Sequence, residues 1–440
     1  MNKVPVIRSA ASLEDAFRGG VPLPVKRCRE ESKAHPRVVV FFDHTAIMSG
    51  GEIALLNLVQ HLDRRRYLPV VVLSAEGPLL TKLVESGVET HILPLETSVM
   101  ETRKDSLGAR GLLRPAAILD VVRYAWRLAR FLKVRQAVLL HTNSLKSDVI
   151  GGIAGRLARV PVIWHIRDRI AADYLPQPAI AGFRWLCRIL PHYIITNSEA
   201  TLTTLCLDLD GRSAVIHSGV TRTYVRVVHD GFGQSVADIG PGTSASPTPP
   251  LIGLVGRLSP WKGQHIFLEA AARVRRQFPE AHYQIIGSAM FGEEDYEAKV
   301  RNLCETLGMA DRVEFMGYRK DVSALIGQLD ILVHASTSGE PFGQVVVEGM
   351  AAGKPVVATN GGGIPEIVQD GVTGWLVPMG ESAPMAEAIV RVLSDPERAA
   401  QMGAAGRQRV LEHFTIELTA CKVQEVYEQF WSDHSAATAR

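Results

Sequence analysis

Short apolar runs alternate with longer amphipathic stretches along most of this 440-residue chain. The first, Arg37-Val38-Val39-Val40-Phe41-Phe42-Asp43, is continuously apolar between polar ends. That is the pattern of a strand buried on both faces of a parallel sheet. Tyr67–Ser74, His91–Pro94, Ala137–Ser144, Pro161–Asp168 and Tyr193–Ser198 repeat it. Helical spacing fills the gaps at Glu52–Leu62, Pro78–Ser86, Leu112–Val134, Ser147–Ala158 and Phe183–Leu190. A second series follows: strands at Leu251–Val255, Tyr283–Gly287, Val313–Arg319, Asp330–His334 and Pro355–Ala358, with helices at His265–Phe278 and Glu293–Leu307. Further helices follow Val377, among them Phe414–Trp431. Strands alternating with helices predict an α/β fold with parallel sheets, here in two doubly wound domains. Residues 229–250, rich in Gly, Ser, Thr and Pro, read as the linker between them. The expected division is a poorly ordered leader over 1–36 with a short helix near Leu13–Phe17, domains over 37–228 and 251–413, and a terminal helix within 414–440.

Composition narrows the class. At 46% hydrophobic and 21% charged, the chain has the make-up of a globular enzyme with more than one domain. No apolar run reaches the ~18 residues a membrane span needs, and 1–36 has no apolar core like that of a secretory signal. Cys28, Cys187, Cys206, Cys304 and Cys421 have no metal-ligand spacing and read as reduced thiols of a cytoplasmic protein. Net charge is only +2, yet residues 1–228 carry 31 Lys and Arg against 20 Asp and Glu, whereas residues 229–440 carry 17 against 26. The basic half reads either as facing something anionic (a nucleic acid, a membrane surface, a phosphorylated acceptor) or as a solvated face. Leu112–Val134 reads as a helix with Leu113, Ile118, Val121, Val122, Ala125, Trp126, Leu128, Phe131 and Leu132 apolar and with Arg114, Arg123, Arg127, Arg130 and Lys133 at other positions. Such a helix can lie on an anionic membrane or simply cover a sheet with its basic side in water. The preceding loop, Thr97–Arg110, holds Arg103, Lys104 and Arg110 and can shape an acceptor site.

The candidate chemistry centres on Ser338-Gly339-Glu340-Pro341-Phe342-Gly343-Gln344-Val345-Val346-Val347-Glu348, read as strand, turn and helix. In a parallel sheet such a turn sits at the carboxyl edge of the strands, where ligands bind. Gly343 lets backbone approach a ligand, and the helix N-terminus suits a phosphate. Glu340 can reach a polyol and Glu348 two neighbouring hydroxyls; the spacing alone equally allows two surface glutamates. Arg257 and Lys262 lie five apart in the loop opened by Gly256, so both cations can converge on a diphosphate. Ser49-Gly50-Gly51 is a glycine turn between strand and helix that does not match the dinucleotide pattern G-x-G-x-x-G. His165 ends a strand.

Taken together, Gly256-Arg257-Leu258 with Lys262-Gly263, Glu340 and Glu348 separated by seven residues, Gly353-Lys354-Pro355-Val356-Val357 and Gly361-Gly362-Gly363-Ile364-Pro365-Glu366 resemble retaining glycosyltransferases of family 4 (glycosyl transferases group 1). The resemblance covers about residues 37–430 and is tight over 251–380. It implies the GT-B fold: two Rossmann-like doubly wound domains facing a cleft, with a C-terminal helix crossing back to the first. The first domain would take the acceptor and the second a nucleotide-sugar. It implies that Arg257 and Lys262 neutralise the departing diphosphate, Glu340 holds sugar hydroxyls, and Glu348 binds the ribose diol. His165 would contact the donor sugar, with Gly50, Gly51, Gly256, Pro341, Phe342, Gly343, Gln344 and Val345 lining the donor site. The expected activity moves a hexose-type sugar, with retention, to a glycan, lipid-linked or small-molecule acceptor in cell-surface polysaccharide or glycolipid synthesis. No cofactor and no metal are expected. The expected location is cytoplasmic, with peripheral contact to the anionic inner face of the membrane.

Other readings stay in view. Glu340 and Glu348 as a glycosidase pair would need a fixed carboxylate separation, not a neighbouring diphosphate cradle. A nucleotide-sugar epimerase, a phosphorylase and a silent sugar-nucleotide scaffold share the fold. A nucleic-acid partner is not expected, because the basic half lacks interleaved aromatics and any recognition motif.

Overall fold

A computed structural model describes residues 35–95, 115–173, 175–222, 225, 249–290 and 292–438. The expected leader helix near Leu13–Phe17, the loop Thr97–Arg110 and most of the 229–250 linker lie outside the described residues. The first sheet is wholly parallel, in the order β3-β2-β1-β4-β5-β6-β7. Its strands are β1 (Arg37–Asp43), β2 (Tyr67–Leu73), β3 (Glu89–Ile92), β4 (Leu139–Thr142), β5 (Val162–Ile166), β6 (Tyr193–Thr196) and β7 (Ser213–Val215). The second, also parallel, runs β10-β9-β8-β11-β12-β13. It comprises β8 (Leu251–Val255), β9 (His282–Ile286), β10 (Val313–Gly317), β11 (Ile331–His334), β12 (Val356–Thr359) and β13 (Trp375–Val377).

Strand alternation sorts the apolar residues into two layers per sheet. From β1, Val40 and Phe42 join a core with Tyr124, Leu128, Ile150 and Phe183, on the helices Pro115–Val134, Leu145–Ala158 and Gln177–Ile189. Val39 and Phe41 face the opposite way, onto Leu55, Leu58 and Leu79 and onto Ala420, Val423 and Tyr427 of the terminal helix Ile416–Thr438. That helix therefore closes the first sheet although it follows the second in sequence. The Tyr67 ring packs edge-on to Tyr427 at 5.6 Å and stacks on Trp431 at 6.0 Å.

Residues Pro36–Arg440 form one compact unit. The two sheets are joined where the outgoing and returning segments cross. Val220 N–H donates to the Phe414 carbonyl, and Ile416 N–H donates to the Val220 carbonyl, both at 2.9 Å. Gly219 makes that approach possible, because a Cβ there would lie 2.2 Å from the Thr415 carbonyl carbon.

Several element starts shift from the sequence expectation, and two helix starts move for a visible reason. The first helix opens at Gly50, not Glu52. Ser49 and Glu52 form a capping box, with the Glu52 carboxylate accepting Ser49 N–H at 3.0 Å, so the glycines occupy the first helical turn rather than a loop. The helix expected from Phe183 starts at Gln177, behind Pro176 as its N-cap residue.

Candidate functional site

The loop leaving β11 carries Glu340 into a buried position, 6% exposed. Its Oε1 accepts from Lys262 Nζ at 2.5 Å, Ser336 Oγ at 2.7 Å and His334 Nε2 at 3.1 Å. Burial alone would raise this carboxyl, but Lys262 and His334 hold it well below the usual carboxylate range. His334 is oriented in turn by Thr359 Oγ1, 3.2 Å from its Nδ1. Lys262 ends a short 3-10 turn, Pro260–Lys262, and its ammonium lies 4.2 Å from the Trp261 ring centroid. The Arg257 guanidinium sits 5.9 Å from the same ring, so both expected diphosphate cations flank one indole. Gly256 lies against Lys262, with a built Cβ 3.8 Å from its Cδ.

Gly343 is the N-cap of the helix Gln344–Ala351, with φ of 124°. A side chain there would be strained, and its Cβ would meet Ile364 Cδ1 at 2.4 Å. The glycine is thus required by the turn itself, before any ligand is considered. Phe342 is 4% exposed and stacks on His217 at 5.6 Å, so any donor contact it makes runs through its backbone. The Pro341 carbonyl accepts from Ser198 Oγ at 2.5 Å and Thr201 Oγ1 at 3.1 Å, both from the first half of the chain. Val345 packs against the apolar layer under this helix. One turn on, Glu348 is half-buried; burial raises its carboxyl to about 7 against the opposing hydrogen bond from Gln344.

The remaining expected site residues lie on the first sheet. His165, near the end of β5, is fully buried. Its Nδ1 lies 3.1 Å from His141 Nε2 and 3.3 Å from Arg167 Nη2, while its Nε2 has no hydrogen-bond partner among the described residues. Burial first, then Arg167 and His141, press its pKa well down, so the ring is neutral. Arg167 donates to Asn143 Oδ1 at 2.8 Å and Ser218 Oγ at 3.0 Å. Asn143 Nδ2 donates to the Gly51 carbonyl at 3.1 Å, and a Cβ on Gly51 would meet Arg167 Cδ at 3.7 Å. Gly51, Arg167 and His165 are therefore one cluster, whereas nothing lies within 4 Å of a Cβ built on Gly50. Arg169 Nη1 donates to the Gly339 carbonyl at 3.0 Å, tying the segment after β5 to the loop that carries Glu340.

Sequence reasoning missed several participants. His334 and Ser336 orient Glu340 from six and four residues away, close enough for a strand-end histidine to have been noticed. Arg167, Asn143 and His141 are brought together by the strand order. Glu366, quoted only within a motif, accepts backbone N–H from Glu199 at 3.0 Å and Ala200 at 2.8 Å, and His217 Nε2 lies 2.8 Å from it. One Asp-x-Asp string, Asp208-Leu209-Asp210, occurs in the exposed turn before β7, where Asp208 Oδ1 accepts Asp210 N–H at 3.1 Å. Among the described residues, no group of three or more His, Cys, Asp or Glu side chains is placed to hold a metal ion.

Two parallel Rossmann-like sheets, bound by crossing segments and a returning helix, with a cation–carboxylate cluster at a strand's carboxyl end, define the GT-B class. Comparison with known proteins agrees. A model of glycosyl transferases group 1 matches residues 241–409, and one of the glycosyl transferase 4-like domain matches residues 49–231. A D-inositol 3-phosphate glycosyltransferase of Streptomyces scabiei (strain 87.22) is 30% identical over 319 residues, covering 67% of this chain and 69% of that enzyme. Spore coat protein SA of Bacillus subtilis (strain 168) is 34% identical over 180 residues; the match spans 40% of this chain and about half, 48%, of that relative's length. Among solved structures, Anabaena HepE in complex with UDP and glucose superposes with a TM-score of 0.72 at 26% identity, over 89% of this chain and 99% of that one. Sucrose-phosphate synthase from Thermosynechococcus elongatus, at 19% identity, shares the fold with a TM-score of 0.70 over 90% of this chain and 100% of that one. The chain belongs to the glycosyl transferases group 1 family.

Proposed function

We propose that this protein transfers a hexose-type sugar, with retention and without a metal, from a nucleoside diphosphate sugar to a glycan, lipid-linked or small-molecule acceptor. The observation that carries the reading is the junction of Lys262, Glu340 and the N-terminus of the helix Gln344–Ala351 at the carboxyl edge of β11. A diphosphate entering there meets Lys262, Arg257 and backbone N–H groups, which stabilise charge as it develops on the leaving group. Lys262 would be shared between Glu340 and the diphosphate. Glu340 would orient the sugar hydroxyls, Glu348 the ribose diol, and the open Nε2 of His165 a further sugar oxygen. The leaving diphosphate would take the acceptor's proton on the face it leaves, which gives retention. HepE was solved with UDP and glucose, so UDP-glucose is the first donor to try.

A peripheral membrane contact, and with it a lipid-linked acceptor in glycolipid or surface-polysaccharide synthesis, draws support from the helix Pro115–Val134. Ile118, Leu119, Val122 and Trp126 are exposed on it at 46–58%, beside exposed Arg123, Arg127, Arg130 and Lys133. No helix among the described residues is long and apolar enough to cross a membrane.

The test is a panel of nucleoside diphosphate sugars, with nucleotide release and protection against thermal unfolding as readouts and Arg257→Ala alongside. One donor should protect the protein and be slowly hydrolysed, and Arg257→Ala should lose both effects. If no donor binds, or if binding survives the substitution, the site is misassigned.

A further inference from the structure

A buried chain of hydrogen bonds leads from the terminal helix to His165. Tyr427 Oη lies 2.6 Å from His141 Nδ1, and His141 Nε2 lies 3.1 Å from His165 Nδ1. All three residues are fully buried. Arg167 Nη2 approaches the same His165 Nδ1 at 3.3 Å. The proton positions follow by elimination. A guanidinium only donates, so His165 Nδ1 accepts. His141 Nε2, facing that same lone pair, must then carry the proton. His141 Nδ1 is left as an acceptor, and the Tyr427 hydroxyl supplies its hydrogen. Burial keeps every member in the required state: it holds the Tyr427 phenol protonated and lowers His141 to about 3, so neither imidazole is charged. His165 Nε2 then bears the one hydrogen of the chain with no partner among the described residues. A buried donor left so is destabilising until an acceptor arrives.

We propose that Tyr427 and His141 are positioning residues that act with Arg167 to fix His165 as the Nε2–H tautomer, so that the terminal helix helps preset a hydrogen-bond donor for an oxygen of the sugar. The role of that donor rests on the transferase reading above; the tautomer itself does not. The arrangement gives the returning helix a task beyond covering the first sheet. A helix that lifts away removes the Tyr427 proton and frees His141 to change tautomer, which leaves Arg167 alone to hold His165 from the form that presents a lone pair to the sugar.

The test uses full-length protein with 15N-labelled histidine and long-range 1H–15N correlation, with His141 and His165 assigned by single replacement. Both rings should carry hydrogen on Nε2 and stay neutral at about pH 6, where an ordinary histidine is largely charged. Tyr427→Phe keeps the packing and removes one oxygen. In it, His141 should populate the Nδ1–H form. Nucleotide release from the donor should fall about fivefold, the loss of one neutral hydrogen bond, while affinity for the bare nucleoside diphosphate stays level. In a His165→Ala background, Tyr427→Phe should cost nothing more. His165 protonated on Nδ1 in the wild type, an unchanged His141 tautomer in Tyr427→Phe, or the same fivefold loss without His165 would each overturn the inference. Should the wild type turn over no donor, the transferase reading falls, and the tautomers alone decide the hydrogen-bond chain.

Discussion

Replacing Glu340 by Gln separates charge from shape at the centre of the proposed site. The amide can still accept from Ser336 and His334, now 2.7 and 3.1 Å from the carboxylate, but as neutral bonds, and Lys262, 2.5 Å from the carboxylate, keeps its charge and loses its ion-pair partner. A charge-assisted hydrogen bond is worth about 1.5–3 kcal/mol and a neutral one about 0.5–1.5, so the folded protein should lose about 1–2 kcal/mol. Stranding a charge deep in a core costs about 3–5 kcal/mol, but Lys262 retains 20% exposure of its side chain and can turn to water, which caps the penalty. The unfolding midpoint should therefore fall by only a few degrees. The difference should shrink in acid: the folded pKa of Glu340 lies below its unfolded value, so its stabilisation is complete above about pH 4.3 and drains away as pH falls below that. Ligand binding should move the other way. Without the competing carboxylate, Lys262 is free for phosphate, and UDP should bind Glu340→Gln as well as the wild type or up to about tenfold tighter, a gain of one charged hydrogen bond. Turnover should nevertheless drop about 100-fold, the order seen when one preorganised polar group is removed from a reacting centre. Calorimetric titration with UDP and nucleotide release measure the two arms. If UDP binding collapses, Glu340 is not the competitor of the phosphate for Lys262. If turnover is untouched, it does not face the reacting sugar.

Glu348, raised to about 7 by burial, has the opposite pH signature: between about 4.3 and 7 the folded state holds a proton the unfolded state has lost, so stability declines as pH rises. Scanning fluorimetry should find Glu348→Gln more stable than wild type at about pH 8 and level with it at about pH 4; parallel curves would show that the carboxyl is not perturbed. Gly50→Ala meets open space and replaces glycine in a first helical turn, so the midpoint should hold or rise slightly, while Gly219→Ala places a Cβ 2.2 Å from the Thr415 backbone and should leave little folded protein. Equal stability of the two variants would refute the crossing geometry. Trp126→Asp removes a 58%-exposed indole from the basic helix and should cut sedimentation with phosphatidylserine-containing vesicles at least about threefold, leaving neutral vesicles unaffected; wild-type protein that ignores anionic vesicles ends the membrane reading.

The strands were legible because burial on both faces writes itself into consecutive residues: Val38–Phe42, Val70–Leu73 and Ile331–Val333 need no partner to be recognised. That the terminal helix returns to the first sheet followed from the family resemblance; which of its residues meet the sheet did not, since Ala420, Val423 and Tyr427 are spaced like any amphipathic face. Helix starts erred where a side chain outvoted backbone propensity. Two glycines look like a loop until Ser49 and Glu52 cap them.

The candidate site divides along the same line. Its second-domain half could be found because its partners are few residues apart or belong to one recognisable run: Glu340 with His334 and Ser336, Gly343 with its helix, Lys262 in the loop of Arg257. Even there, the pairing of Lys262 with Glu340 spans 78 positions, and the sequence motif suggested two separate ligand contacts rather than an ion pair already closed. The first-domain half is assembled from Gly51, Asn143, His165, Arg167 and Ser218, one or two residues from each of several segments, and no short window holds two of its partners except His165 and Arg167. His141 and Tyr427 are 286 residues apart. A polar residue buried among apolar ones carries no mark of what it bonds to, because that is decided by which strands become neighbours. Here β4 beside β5, with the last helix laid over both, turns three unremarkable residues into one directed chain of hydrogen bonds. The first-domain half of the candidate site is therefore the half whose chemistry must be read from topology.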